Sequence, residues 1–369
     1  MKKIVTHSLI AALIIALAFS FCGCGYEYAE LDLRGSYTTE YAGTDLNVYN
    51  WGEYISDGTD GSVDVVKEFE KLTGITVNYT TFDSNETMYS QLKNGGVSYD
   101  VIVPSDYMIQ RLINEDMLCT IDTSSLTNFD LIDEKYKGLY FDTEDKYTVA
   151  YNVGLVGLIY NTNVVTETPD SWNILWDEKY KDQILMFNNP RDAFAIAQFI
   201  LEQDLNNTEK QLWDNAAQLL ISQKQYLQSY VMDEVYGKME TGEAAIAPYY
   251  AGDYLTMVEN NEDLAFVYPK EGTNIFVDSL CIPKNTQNYE AALMFINFLL
   301  EPDIALANAE YIGYATPNTA VINNQEYYYY QNEILYPDEA TLPKTQYFHD
   351  IDSSIRNYYE NLWIDVKLY

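Results

Sequence analysis

From residue 45 onward, short apolar runs alternate with segments whose apolar residues recur every three or four positions. Leu46 and Val48 alternate with polar neighbours in a strand that ends near Asn50. Val65, Val66, Phe69 and Leu72 mark one face of a helix, and Gly74 stops it. Ile75, Val77 and Tyr79 alternate in a second strand, and another helix follows around Met88 to Leu92. Asp100-Val101-Ile102-Val103 reads as a short buried strand. Strand, helix, strand, helix, strand implies right-handed crossovers and a parallel sheet. Ligands of such sheets sit beyond the carboxyl ends of the strands. Trp51 to Tyr54 and Pro104 to Tyr107 are therefore expected beside one crevice.

A second α/β region begins near Leu155. Its clearest helix is expected from about Pro190 to Leu205, with Asn189 as N-cap, Pro190 at the first position and Asp192 in the first turn. A strand at Ser279 to Ile282 precedes an apolar helix over 291–300, and the Tyr-rich tail from 323 ends in a helix over 351–367. The chain has 369 residues, 47% hydrophobic and 21% charged, which is enough apolar material for two ordinary domains.

The first residues read as an export leader. Lys2 and Lys3 precede a mostly apolar run from Leu9 to Phe21, too short for a comfortable membrane span. The run ends in Phe21-Cys22-Gly23-Cys24, and Cys24 after Gly23 fits a lipidation site better than Cys22 after bulky Phe21. Residues 1–24 are thus expected to be a lipoprotein signal peptide and 25–43 a tether, with the mature protein lipid-anchored on the outer face of the cell membrane or in the periplasm.

Net charge is −35; loss of Lys2 and Lys3 leaves 19 basic against 56 acidic side chains, or −37. Such a chain repels nucleic acid and anionic headgroups and accepts a cationic ligand more readily than an anionic one. Cys119 and Cys281 lie next to apolar residues and read as buried free thiols, and His349 is the one histidine beyond the leader.

The chain resembles the spermidine/putrescine-binding proteins of ABC transporters. The blocks that carry the resemblance are VYNWGEYI (48–55), SNETMYSQL (84–92), YDVIVPSDY (99–107), SLTNFD (125–130), SWNILWDEKYKDQIL (171–185), NNPRDAF (188–194), VYPKEGTNIFVDSLCIP (267–283), INFLLEPD (296–303) and IGYATPN (312–318). Their order and spacing together are specific. The resemblance implies a periplasmic-binding-protein-like α/β fold of type II, with two lobes, a hinge and a ligand cleft between them. Lobe one is expected at 44–154 plus 278–322 and lobe two at 155–277 plus 323–369. It also implies an ABC transporter permease as partner, and neither a cofactor nor a metal nor catalytic residues.

A polyamine is an apolar chain punctuated by ammonium groups. Its site must offer carboxylates to the ends and flat rings to the methylenes. Each ring over a cation adds about 0.5–2 kcal/mol, depending on desolvation. By resemblance, Trp51, Glu53 and Tyr54 supply the first loop, and Ser105 and Tyr107 the second. Asp278 matches the family's ammonium-binding Asp, with Phe276 where many members have Trp. Asp192 matches an acid of the site, although a first-turn acid needs no ligand to explain it. Asn189 stands where the spermidine-type pattern has a second Asp. Tyr250 matches a Trp wall, Asp253 a carboxylate of the putrescine-type pattern, and Tyr314 completes the aromatic set. Loss of an acid at Asn189 with an acid at Asp253 points toward a shorter diamine. Phe348 falls near a polar contact of the family, and Asp106 is a further acid of the second loop.

Three rivals remain open from sequence. Tyr249-Tyr250 resembles the adjacent tyrosines of ferric-ion-binding proteins of the same fold. Abundant carboxylates leave room for an extracytoplasmic hydrolase, although the chain contains no HExxH, GxSxG or phosphate loop. A sensor that binds polyamine would use the same binding chemistry.

Overall fold

The period-two segments form the expected strands. In the computed structural model, which describes residues 31–368, β1 (Asp45–Trp51) lies between β2 (Thr76–Phe82) and β3 (Val101–Ile102), parallel to both. The crossover helices are Val65–Thr73 and Asn85–Asn94. Asp64 accepts the Lys67 N–H to start the first of them, and Gly74, at φ 71°, ends it.

The second region is built on β4 (Thr148–Asn161), whose 14 residues are all buried. A strand covered on both faces has no polar alternation, which is why period two does not reveal its length. The remaining strands are β5 (Ile184–Phe187), β6 (Leu227–Val231), β7 (Ile246–Tyr250), β8 (Leu264–Val267), β9 (Thr273–Cys281) and β10 (Thr345–Gln346). The sheet runs β2-β1-β3-β9-β4-β7-β5-β6, with β8 pairing β4 and β10 pairing β9. The amino-terminal part of β4 pairs antiparallel with β9 as far as Leu155–Ile275, and from Val156 it pairs with β7. Leu155, the expected start of the second region, is the residue at which β4 changes partner.

Four elements differ in their bounds from expectation. β9 begins at Thr273 instead of Ser279, because the buried Asp278 interrupts the apolar run that marks the strand. The helix that Asn189 caps ends at Ile200 instead of Leu205, since Glu202 enters the left-handed region at φ 55°. The helices expected over 291–300 and 351–367 form at Tyr289–Leu299 and Ser353–Leu368. Cys281 is fully buried and Cys119 half-buried, both as free thiols.

The expected leader, residues 1–24 with Cys24, lies outside the described residues, as do 25–30 of the expected tether. The part of the tether that is described is packed down. From Leu33 to the C-terminus the chain forms one compact unit. Within it the fully buried Glu301 carboxylate accepts the backbone N–H groups of Arg34 and Gly35, both at 2.7 Å, and the Tyr37 hydroxyl at 2.5 Å. The Arg34 guanidinium makes a bidentate pair with Asp130 at 3.0 and 3.1 Å, and the Tyr37 ring stands edge-on to Phe298. Three donors on one buried carboxylate are worth more than the exposed Arg34–Asp130 pair. Glu301→Ala is expected to lower stability by about 2 kcal/mol in urea unfolding and to speed hydrogen exchange at Arg34 and Gly35; unchanged exchange there would contradict the assignment.

Candidate functional site

The ends of β1 and β3 deliver the two expected loops side by side. The Trp51 indole N–H donates to the Val103 carbonyl at 2.8 Å, and its ring lies 4.5 Å from Phe82. Two residues on, the Ser105 backbone bridges to Asp278 on β9. Asn85 and Ser105 bond reciprocally: Asn85 Nδ2 donates to the Ser105 hydroxyl at 3.0 Å, and the Ser105 N–H donates to Asn85 Oδ1 at 3.1 Å. This clamp sets the first turns of helices Asn85–Asn94 and Asp106–Asn114 next to each other.

Four carboxylate groups define the site, Asp192 and Asp278 buried and Glu86 and Asp253 half-buried, and each accepts from a tyrosine hydroxyl. Tyr54 donates to Asp278 at 2.7 Å, Tyr107 to Glu86 at 2.9 Å, and Tyr250 to Asp192 at 2.8 Å. Asp253 accepts twice, from Tyr236 at 2.6 Å and Tyr314 at 3.0 Å. Among the described residues none of the four pairs with a lysine or arginine. One oxygen of Asp278 and one of Glu86 are buried without a hydrogen bond.

Burial therefore dominates their titration. It pushes Asp192 up to about 7; the Tyr250 hydroxyl draws it back, Glu86 adds to the rise, and Arg191 opposes it. Burial also raises Asp253 to about 6 against its two tyrosine donors, and Asp278 to about 6 against Tyr54 and Ser105. Glu86 is raised for the same reason. Asp106, fully buried one residue before Tyr107, is raised well above the carboxylate range by burial, and the Asp278 charge adds to this. Its oxygens accept the Tyr107 and Val277 N–H groups, at 2.7 and 3.4 Å.

The rings between these acids form a continuous wall. Tyr54 meets Tyr314 edge-on at 5.3 Å, Tyr314 lies 6.4 Å from Phe276, and Phe276 meets Tyr250 at 5.5 Å. Two glycines make room for it. A Cβ on Gly154, the β4 partner of Phe276, would sit 2.1 Å from that ring, and a Cβ on Gly252 would sit 2.1 Å from Tyr314. At the far end Tyr107 packs edge-on against Phe348, which also lies under the Arg191 guanidinium.

Of the residues singled out from sequence, Tyr54, Ser105, Tyr107, Asp192, Tyr250, Asp253, Phe276, Asp278 and Tyr314 come together. Trp51 ties β1 to β3 through its indole N–H and packs on Phe82. Glu53 is exposed at φ 51° and accepts only a long bond from Tyr311 at 3.4 Å. The Asn189 side chain is occupied as a helix cap, accepting the Arg191 N–H at 2.9 Å. Tyr249 and Tyr250 do not aim at a common point: Tyr249 stacks on Phe187 at 5.3 Å while Tyr250 turns to Asp192. Sequence reasoning missed Glu86 and Tyr236. Glu86 sits inside a quoted block but reads as an ordinary first-turn acid, and Tyr236 has no signal among 35 tyrosines.

Residues 64–334 match the family described as bacterial extracellular solute-binding protein. A spermidine/putrescine-binding periplasmic protein of Salmonella typhimurium is 34% identical over 86% of this chain and 91% of its own length. A Listeria monocytogenes structure, provisionally assigned to spermidine/putrescine ABC transport, superposes with a TM-score of 0.83 at 35% identity, over 88% of this chain and 99% of its own. The Tp0655 lipoprotein of Treponema pallidum superposes with a TM-score of 0.74 at 25% identity, over 88% of this chain and 100% of its own. The fold is that of the periplasmic binding proteins, and the chain belongs to the bacterial extracellular solute-binding protein family.

Proposed function

We propose that this protein captures putrescine or spermidine outside the cytoplasm and delivers it to the permease of an ABC importer, held to the membrane by a lipid on Cys24. The observation that carries the reading is the set of four buried or half-buried carboxylates that accept neutral tyrosine hydroxyls and, among the described residues, form no ion pair with a lysine or arginine. Such a set is costly when charged, and an ammonium of the ligand supplies the missing countercharge through charge-assisted hydrogen bonds. Tyr54, Tyr314, Phe276 and Tyr250 offer flat faces to the methylenes between the ammonium groups.

The curated relative from Salmonella is named for spermidine and putrescine, and the Treponema neighbour is named a lipoprotein. Relatives of this kind are binding components of transporters, and the proposed activity is binding without turnover. Asn189 spends its side chain on a helix cap, while Asp253 stands in the tyrosine–carboxylate set; this favours the shorter diamine. Closure is proposed to pivot on β4 and β9, the strands that run from one half of the sheet into the other. Lobe one would be 44–154 plus 278–322, and lobe two 155–277 plus 323–369.

Calorimetric titration with a diamine and polyamine series tests the reading. Micromolar or tighter binding of one member is expected, and Asp278→Asn should weaken it at least tenfold, because an ammonium is left buried and poorly paired; unchanged affinity would remove Asp278 from the site. A second test needs no ligand. Asp192, Asp253 and Asp278 hold their protons to about pH 6–7 when folded and to about pH 4 when unfolded. The folded state thus binds more protons across that window, and its stability falls as pH rises through it. The melting temperature of the ligand-free protein is expected to drop between pH 5 and pH 7.5, with a shallower drop in Asp192→Asn; an identical slope in the variant would contradict the buried-acid assignment.

A further inference from the structure

Glu86 belongs to no part of the site read from sequence, yet its surroundings are those of a ligand-binding group. The three residues that open helix Asn85–Asn94 divide the work. Ser84 caps the helix, accepting the Thr87 N–H at 3.1 Å. Asn85 clamps that first turn to Ser105. Glu86 then faces Tyr107, whose hydroxyl takes Oε1 at 2.9 Å and leaves Oε2 buried with no hydrogen bond. A carboxylate oxygen in that condition is destabilising, because its lost hydration is not replaced. Among the described residues neither lysine nor arginine forms an ion pair with Glu86, and the Arg191 and Arg111 charges offset its burial only in part.

A second acid lies within electrostatic reach of Glu86: its charge adds to the burial-driven rise of Asp192, in the first turn of helix Pro190–Ile200, and to that of Tyr359 on helix Ser353–Leu368, while the Arg191 charge opposes the rise of all three. Tyr107, bonded to Glu86, meets the Phe348 ring at 5.8 Å, and that ring lies 4.7 Å from the guanidinium of Arg191, the residue before Asp192. Asp192 belongs to the half of the sheet built on β5, β6 and β7, and Glu86 to the half built on β1, β2 and β3. The other end of the ring wall has the same arrangement. Asp278 on β9 and Asp253 on helix Ala251–Asn260 are linked through the Tyr54–Tyr314 ring contact.

We infer that Glu86 is a further ligand-binding and specificity-determining residue, whose free Oε2 takes the ammonium that Asp192 takes from the opposite side. Each end of the ligand then meets two carboxylates, one from each half of the sheet. The chemical class selected is an alkyl chain with a primary ammonium at both ends. An ammonium between Glu86 and Asp192 would also turn their repulsion into an attraction, so ligand would draw the two halves together at this point. The inference rests on the polyamine reading and adds to it the identity of the second acid at the Asp192 end.

Glu86→Gln tests it. Glutamine keeps the acceptor that Tyr107 uses, removes the charge and puts an NH2 donor where Oε2 stands. Calorimetry on wild type with putrescine and spermidine comes first; absence of binding to both would overturn the polyamine reading and this inference with it. If wild type binds, Glu86→Gln is expected to weaken its preferred amine tenfold or more, while the ligand-free melting temperature holds or rises because a charge that repels Asp192 is gone. Wild-type affinity in the variant would show that Glu86 only positions Tyr107. A melting temperature lowered by several degrees alongside the weaker binding would show a structural role. Either result overturns the inference and leaves the polyamine reading standing.

Discussion

Desolvation of carboxylates is the constraint on which this structure turns. Taking a charged carboxylate out of water costs several kcal/mol unless a cation or several donors replace the lost hydration. Asp142 shows how the fold meets that cost where it wants a stable loop: its carboxylate gathers the N–H groups of Lys146, Tyr147 and Thr148 and the Thr148 hydroxyl. Glu301 does the same with the 34–37 segment. Asp192, Asp253, Asp278 and Glu86 are treated differently. Each receives one or two phenolic hydroxyls, which orient the carboxylate without neutralising it. The shortfall in countercharge is a property of the site and not of the fold at large.

The architecture that permits this is local and inexpensive. The carboxyl ends of β1 and β3 place Tyr54, Ser105 and Tyr107 together, and the antiparallel crossing of β4 and β9 sets Phe276 and Asp278 beside them. The ring wall lies close to the backbone only because Gly154 and Gly252 lack side chains at the points of contact. Rigid rings carry few rotatable bonds, so a site built from them loses little entropy when it closes on a flexible ligand.

Much of this was legible in sequence, for identifiable reasons. The alternation at Leu46–Val48 and Ile75–Tyr79 survives because those strands have one polar side, and Asn189-Pro190 marks a helix start by capping chemistry that needs no tertiary context. β4 was read only as a region start, since an all-buried strand of 14 residues has no period to read. β9 was truncated by the very Asp278 that gives it a function. At the site, loop position after a strand located Tyr54 and Tyr107, and family resemblance located Asp278, Asp253 and Tyr314. Spacing could not tell that Asn189 spends its side chain on a cap or that Glu53 turns to the surface. Nor could it tell that Glu86, an unremarkable first-turn acid, faces inward; the Asn85–Ser105 clamp that turns it there joins residues 20 positions apart.

The central claim is that these acids are held partly protonated until a cationic ligand arrives. Titration of the protein with its amine at pH 6, in two buffers of different ionisation enthalpy, measures proton exchange on binding directly. Asp192, at about 7, is mostly protonated in the free protein at that pH, and a bound ammonium favours its charged form. The account predicts net release of protons to the buffer at pH 6, fading above pH 8. Binding with no proton release at pH 6, or with proton uptake, would contradict it.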